Sequence, residues 1–144
     1  MSEDGFCSIP TEVLRFDMTK LPDTLNVLGH TFEYTTTFQH AREYKNLDTD
    51  SCIPEIEVYE PDTSMVTVTV CNRIFGLDVP VLSKLSKYDV LHTITSEINE
   101  NAQELLRYKD NDDPDLGLTE YRKRLKTSIN RDIAALLAFN KEFM

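Results

Sequence analysis

The feature that most constrains the fold is a change in the spacing of apolar residues near Gly76. Before Gly76, apolar and polar side chains alternate in several short runs, which is typical of strands with one buried face. After it, apolar residues recur every three or four positions, the period of an amphipathic helix. Strands followed by helices predict an α+β fold. We expect a small antiparallel sheet of about four strands, followed by an antiparallel two-helix hairpin that packs on it.

The alternating runs predict where the strands lie. Runs of polar and turn-forming residues separate them, so the segments 20–30 and 42–52 are expected to be connections. The predicted strands are 13–18, 31–40, 53–60 and 65–75.

The pairing of the last two predicted strands depends on the length of the turn between them. A four-residue loop, 61–64, would place Tyr59, Glu57 and Glu55 opposite Val66, Val68 and Val70, which mixes acids with the apolar face. A loop with an odd number of residues would instead place Ile56 and Val58 there. Because a shift by one residue turns every side chain to the other face, we expect an odd loop or a bulge.

Two helices are predicted after Pro80, which can open a short helical turn. Ser86 and Asp89 have the spacing of a capping box, so the first helix is expected to start there and to end at about Lys109. The second helix is expected to start near Leu118 or Thr119. The apolar residues predicted to face inward are Leu91, Ile94, Ile98, Ala102, Leu105 and Leu106 in the first helix, and Tyr121, Leu125, Ile129, Ile133, Leu136 and Leu137 in the second.

The 144 residues suit one domain. We expect a loosely ordered segment 1–12 and a domain 13–144, β-rich over 13–76 and with the helical hairpin over 80–142.

The longest apolar run, 133–139, is far shorter than the roughly 20 residues that span a bilayer, and the acidic start does not resemble a signal peptide. The three cysteines, Cys7, Cys52 and Cys71, are odd in number and far apart, which favours the reducing cytoplasm over a disulfide framework.

The net negative charge is concentrated in the first half of the chain. The formal net charge is −10, and residues 1–70 contribute 13 acids against 4 bases. An acidic surface repels nucleic acid and favours basic protein surfaces, so we expect a protein partner with a basic surface and no direct nucleic-acid binding. Because no apolar run is long enough to span a bilayer, we expect no membrane binding. The alternative is a solvated loop with an edge strand protected by charge. The residues predicted to contact the partner form the acidic tract: Glu43, Asp48, Asp50, Glu55, Glu57, Glu60 and Asp62.

A second candidate contact is the basic stripe of the second helix, which comprises Arg122, Lys123, Arg124 and Lys126. On a helix, Arg122 and Lys126 lie one turn apart and could hold a phosphate or an acidic partner. The alternative is a solvated outer face whose charges pair with nearby acids.

The sequence offers little support for a metal site, a phosphate-binding loop or a catalytic Cys–His pair. The segment 110–115 is rich in aspartate, but a calcium loop that starts at Asp110 would have Asp115 where glycine is needed and Tyr121 where glutamate is needed. No glycine-rich phosphate motif can be written, and no short Cys or His spacing marks a zinc site or a Cys–His pair, although the three histidines could meet Cys52 or Cys71 in space. We therefore expect no metal, no cofactor and no catalytic residues.

The predicted function is that of a non-enzymatic inhibitor or regulator that contacts a basic protein surface. In the most specific version of this prediction, the protein imitates nucleic acid. One alternative is a structural subunit of a homo-oligomer or larger assembly, a viral particle included; a small enzyme is the other. Apolar residues near both ends, Phe6 and Ile9 at the start and Phe139, Phe143 and Met144 at the end, either complete the core or dock on a partner.

Overall fold

The computed structural model describes residues 21–60, 64–108 and 116–144. Within these ranges the chain forms six strands, one 3-10 turn and two long helices, and each strand pairs antiparallel with the next along the chain. The α+β class is therefore confirmed, although the sheet has six strands rather than about four. The segment 1–12 and the predicted strand 13–18 lie outside the described residues. The elements are β1 (Thr24–Val27), β2 (His30–Phe38), β3 (Ala41–Asn46), β4 (Glu55–Tyr59), β5 (Met65–Val70), β6 (Arg73–Asp78), the 3-10 turn (Leu82–Lys84), α1 (Lys87–Arg107) and α2 (Leu116–Phe143).

Two segments predicted to be connections contain strands. In β1, Leu25 and Val27 are buried, but four residues between turn-forming neighbours are too short a run to stand out. In β3, the buried positions are Tyr44 and Asn46, and the charged residues between and before them hide the alternation. These two predictions were wrong because pairing with neighbouring strands, which the sequence does not display, decides the conformation of such short segments.

The predicted strand 65–75 is in fact two strands joined at Cys71 and Asn72. Val70 pairs directly with Arg73, so the turn has two residues. The same geometry joins β1 to β2 and β2 to β3. The six turn residues all have positive φ, as a type I′ hairpin turn requires, yet five of them are not glycine: Leu28, Gln39, His40, Cys71 and Asn72, with Gly29 as the sixth. Because none of the three turns contains an Asn-Gly or Asp-Gly pair, the usual sequence signal of a two-residue hairpin turn is missing.

The predicted pairing of β4 with β5 is confirmed. Val58 lies opposite Val66 and Ile56 lies opposite Val68, so the apolar side chains of both strands share one face. Glu57 and Thr67 lie opposite each other on the other face.

Both helices pack on the apolar face of the sheet. Val90 and Ile94 of α1 and Ala135 and Phe139 of α2 belong to the same buried cluster as the inward side chains of the strands. The opposite face is turned away from the helices. The largest fully buried side chains of the sheet are Phe32, Tyr44, Ile56, Val58, Val66, Val68, Val70 and Phe75.

The start of α1 is as predicted. The hydroxyl of Ser86 accepts a hydrogen bond from the Asp89 backbone N–H at 3.2 Å, and the Asp89 carboxylate accepts one from the Ser86 N–H at 2.9 Å. The helix ends at Arg107. Leu106, predicted to face inward, is instead 56% exposed.

The inward face of α2 differs from the prediction. Leu125, Ala135 and Phe139 are buried, whereas Ile133 and Leu137 are 39% and 64% exposed. The reason is Asp132, whose carboxylate accepts a hydrogen bond from the Arg73 guanidinium at 2.6 Å and is fully buried. With Asp132 turned inward, its neighbour Ile133 faces outward.

Among the described helices, none combines the length and apolar character that crossing a membrane requires.

The β2–β3 turn allows a direct test of the strain in these hairpins. Replacing Gln39 and His40, with φ of 50° and 69°, by Asn and Gly should raise the free energy of unfolding by about 1 kcal/mol, because these residues adopt positive φ with little strain. Gln39→Val should lower it by at least about 1 kcal/mol, because a β-branched residue resists this conformation. Urea unfolding measures both. Equal stabilities of the two variants would contradict the turn assignment.

Candidate protein-binding surface

The sheet face turned away from the helices carries a cluster of carboxylates. Glu43 of β3 lies directly opposite Glu57 of β4, and Glu55 is two residues from Glu57, so all three side chains project from the same face. One carboxylate oxygen of each lies within 4.8 Å of the others. All three side chains are half-buried. We call these three residues the acidic face.

The surroundings of the acidic face only partly neutralise it. Lys45 Nζ lies 3.3 Å from Glu55 Oε1, and the hydroxyl of Thr67 donates a hydrogen bond to Glu57 Oε1 at 3.1 Å. Glu33 of β2 lies opposite Lys45 and adds a further acid that the sequence analysis missed, because the acidic tract was defined by closeness in sequence rather than across strands. Like charges directly opposite each other destabilise a sheet, so the acidic face costs stability rather than supplying it.

The rest of the acidic tract lies elsewhere. Asp48 and Asp50 are in the β3–β4 loop, where the Asp50 N–H donates to Asp48 Oδ1 at 3.0 Å. Glu60 lies 3.9 Å from Arg42 Nε. Asp62 is outside the described residues. Of the six predicted residues that the structure describes, three are therefore brought together.

Within the described ranges, the acidic face is also the one group of three side chains close enough to hold a metal ion. Carboxylate oxygens suit hard cations such as Ca²⁺ or Mg²⁺. Half-exposed acidic groups are common without an ion. The other metal candidate of the sequence, Asp110 to Asp115, falls outside the described residues.

The basic stripe is not one patch. Arg122 donates a hydrogen bond to the Tyr108 carbonyl and so helps to close the C-terminal end of α1. Lys123 lies 3.5 Å from Glu120, while Arg124 and Lys126 are exposed. Since successive helical residues are rotated by about 100°, Arg122 and Lys126 lie on one side of α2, whereas Lys123 and Arg124 point in other directions. This arrangement favours the solvated-face interpretation.

An open cleft of about 940 Å³ brings together three of the residues considered for Cys–His chemistry: His30, Cys52 and Cys71 line it. Glu142, near the end of α2, is its central polar group. The carboxylate of Glu142 accepts hydrogen bonds from the Ser51 hydroxyl at 2.6 Å and the Cys52 N–H at 2.7 Å, and lies 2.9 Å from His30 Nε2. Burial alone would raise the pKa of Glu142, but these hydrogen bonds bring it below its ordinary value.

Cys52 is poorly suited to be a nucleophile. Burial, together with the neighbouring Glu142 carboxylate, raises the pKa of its thiol to about 12. A thiol that keeps its proton reacts slowly, because the thiolate is the reactive form. Because its hydrogen-bond partners Ser51 and Cys52 are in the β3–β4 loop, Glu142 connects the end of α2 to that loop.

The apolar C-terminal residues largely complete the core. Phe139 is fully buried, and Phe143 stacks on it with ring centroids 4.7 Å apart. Met144 is half-exposed. Phe6 and Ile9 lie outside the described residues.

Relief of charge repulsion provides a stability test of the acidic face. Glu57→Gln should raise the free energy of unfolding by up to about 1 kcal/mol at low ionic strength, because it removes a like charge opposite Glu43 and keeps an oxygen for Thr67. The gain should shrink as salt is added. Urea unfolding at two salt concentrations measures it. Destabilisation by Glu57→Gln at both concentrations would show that the carboxylates do not repel each other.

The reactivity of the thiols tests the assignment of Cys52. In a Cys7→Ser background, iodoacetamide should alkylate the exposed Cys71 well before Cys52, and Glu142→Gln should speed the reaction of Cys52, because it removes the charge that helps to raise the thiol pKa. Peptide mapping by mass spectrometry follows both sites. Faster alkylation of Cys52 than of Cys71 with Glu142 unchanged would contradict this assignment and favour a Cys–His catalytic pair.

Comparisons with known proteins complete the description of the surface. No protein-family model matches the chain. No curated protein and no solved structure matches it either. The functional argument therefore rests on the contacts described above.

Proposed function

We propose that the protein is a non-enzymatic binding module, a small acidic inhibitor or regulator whose acidic face contacts a basic surface of a partner protein. The observation that carries the proposal is the convergence of the Glu43, Glu55 and Glu57 carboxylates within 4.8 Å on the sheet face that the helices leave uncovered.

The energetics support this use of the face. Three carboxylates with one neighbouring lysine repel each other, and a partner's lysine or arginine side chains would remove the repulsion on binding. The apolar core stabilises the strands beneath the acidic face, so the fold tolerates the destabilising repulsion between the carboxylates. The face thus has the properties of a preformed acidic contact.

The spacing of the acids also fits the sharper form of the proposal. The Cα atoms of Glu55 and Glu57, at alternate positions of β4, are about 6.6 Å apart along the strand, and an oxygen of each carboxylate lies within 4.8 Å of the other. Such a line of negative charges can enter a basic groove that otherwise binds nucleic acid, and it would then compete with DNA or RNA.

A pair of charge-matched variants tests the proposal. Glu43→Gln, Glu55→Gln and Glu57→Gln together remove the acidic face, whereas Glu100→Gln, Glu104→Gln and Glu120→Gln remove the same charge from the helices. Captures from a lysate of the source organism, at low and high salt, should yield a basic protein with the wild type and the helix variant at low salt. The same protein should be lost with the acidic-face variant and at high salt.

The purified partner then permits a quantitative measurement. Calorimetry should give at least about a tenfold weaker affinity for the acidic-face variant than for the helix variant, since each lost charge-assisted contact is worth about 1.5–3 kcal/mol. Added oligonucleotide should displace the protein if the partner surface is a nucleic-acid groove. Equal affinities of the two variants would refute the proposal.

A second candidate function is that of a subunit of a larger assembly, favoured by the exposed Ile133 and Leu137, which lie one turn apart on α2. Light scattering distinguishes the two. A concentration-dependent rise in mass that Leu137→Ser abolishes, and that the acidic-face variant leaves unchanged, would favour the assembly subunit.

A further inference from the structure

A buried ionic group joins the sheet to both helices. Arg73 of β6 donates from Nε to the Asp132 carboxylate of α2 at 2.6 Å, and from Nη2 to the Glu97 carboxylate of α1 at 2.8 Å. Asp132 is fully buried, whereas Arg73 and Glu97 are about one-third exposed or less. We call these three residues the buried triad.

The charges of the buried triad do not balance if both carboxyl groups are ionised. Two carboxylates would then share one guanidinium, which leaves an excess negative charge beside the fully buried Asp132. Asp132 Oδ2 is buried and has no hydrogen-bond partner within the described residues. Asp132 and Glu97 both accept hydrogen bonds from the Arg73 guanidinium, which brings the two carboxyl groups together. A proton on Glu97 would cancel the excess charge and give Asp132 a donor.

We propose that Glu97 carries a proton in weakly acidic solution and donates it in a hydrogen bond to Asp132, so that the contact between the sheet and the helical hairpin is a pH-sensitive lock. Below neutral pH the buried triad is charge-balanced and holds three elements together. Loss of the proton as the pH rises leaves two carboxylates that repel each other across the junction of α1 and α2.

The direction of the pH effect follows from the groups that face Glu97. Burial and the neighbouring Asp132 raise the pKa of Glu97 to about 7, and Arg73 of β6 opposes this shift without cancelling it. Because the pKa is higher in the folded protein than its ordinary value of 4.5, the folded state binds the proton more tightly. The stabilisation is therefore complete below about pH 4.5 and is lost as the pH rises through about 7.

The Glu97→Gln variant isolates the proton from the rest of the triad. A glutamine amide can accept from Arg73 through its oxygen and donate to Asp132 through its nitrogen, so it imitates the protonated acid at every pH. We expect the urea midpoint of the wild type to fall, relative to that of Glu97→Gln, between about pH 5 and about pH 8. At the alkaline end, the variant should be the more stable protein.

Two further measurements make the test decisive. Glu100→Gln, one turn along α1 and exposed, is the charge-matched control and should follow the wild-type pH profile. Carbon-13 NMR of the glutamate carboxyl groups should give Glu97 a titration midpoint near 7. A midpoint below about 5, or a parallel pH dependence in the wild type and Glu97→Gln, would overturn the proposal.

Discussion

The alternation of side chains along β3, β4 and β5 is the constraint on which the rest of the structure depends. In each strand, one set of side chains enters the core and the other set faces away from the helices. The buried set includes Tyr44, Ile56 and Val68, and the opposite set includes Glu43, Glu57 and Thr67. The core and the acidic face are thus the two sides of the same strands. A shift of one residue in any pairing would bury the acids, so the register that secures the fold also exposes the proposed binding surface.

Polar contacts decide how the helices sit on this sheet. At β6, Arg73 reaches one carboxylate on each helix and turns Asp132 into the core. At the far end of α2, the Glu142 carboxylate accepts hydrogen bonds from the β3–β4 loop. Between these points, Ala135 and Phe139 pack on the sheet. The long α2 is therefore fixed at two separate places, and at both an acid accepts hydrogen bonds from groups in distant parts of the chain.

Prediction from sequence succeeded where one local signal governs the outcome. The capping box of Ser86 and Asp89 marks the start of α1, and the parity of Ile56 and Val58 against the valines determines how β4 pairs with β5. It failed where the decisive partner is distant. The turn at Cys71 and Asn72 forms because the adjoining strands pair, although Cys71 adopts positive φ less readily than glycine or asparagine does.

The candidate site also combines features that the sequence reveals with features that only strand pairing reveals. The sequence identified an acidic tract between Glu43 and Asp62, but it could not separate the residues that converge on one face from those in the loop. Glu33, 22 positions before Glu55, belongs to the same region of the sheet through its pairing with Lys45. Closeness in sequence was therefore a poor guide to which acids form one surface.

The order of residues by itself determined the α+β class, the excess of acid in the first half and the start of α1, because each depends on periodicity, composition or a motif within one turn. Only the tertiary structure decided which acids share a face, which side of α2 is buried and that Glu97 and Asp132 share Arg73. These features arise from contacts between residues far apart in the chain, whose energies depend on burial and on distances that no local pattern encodes.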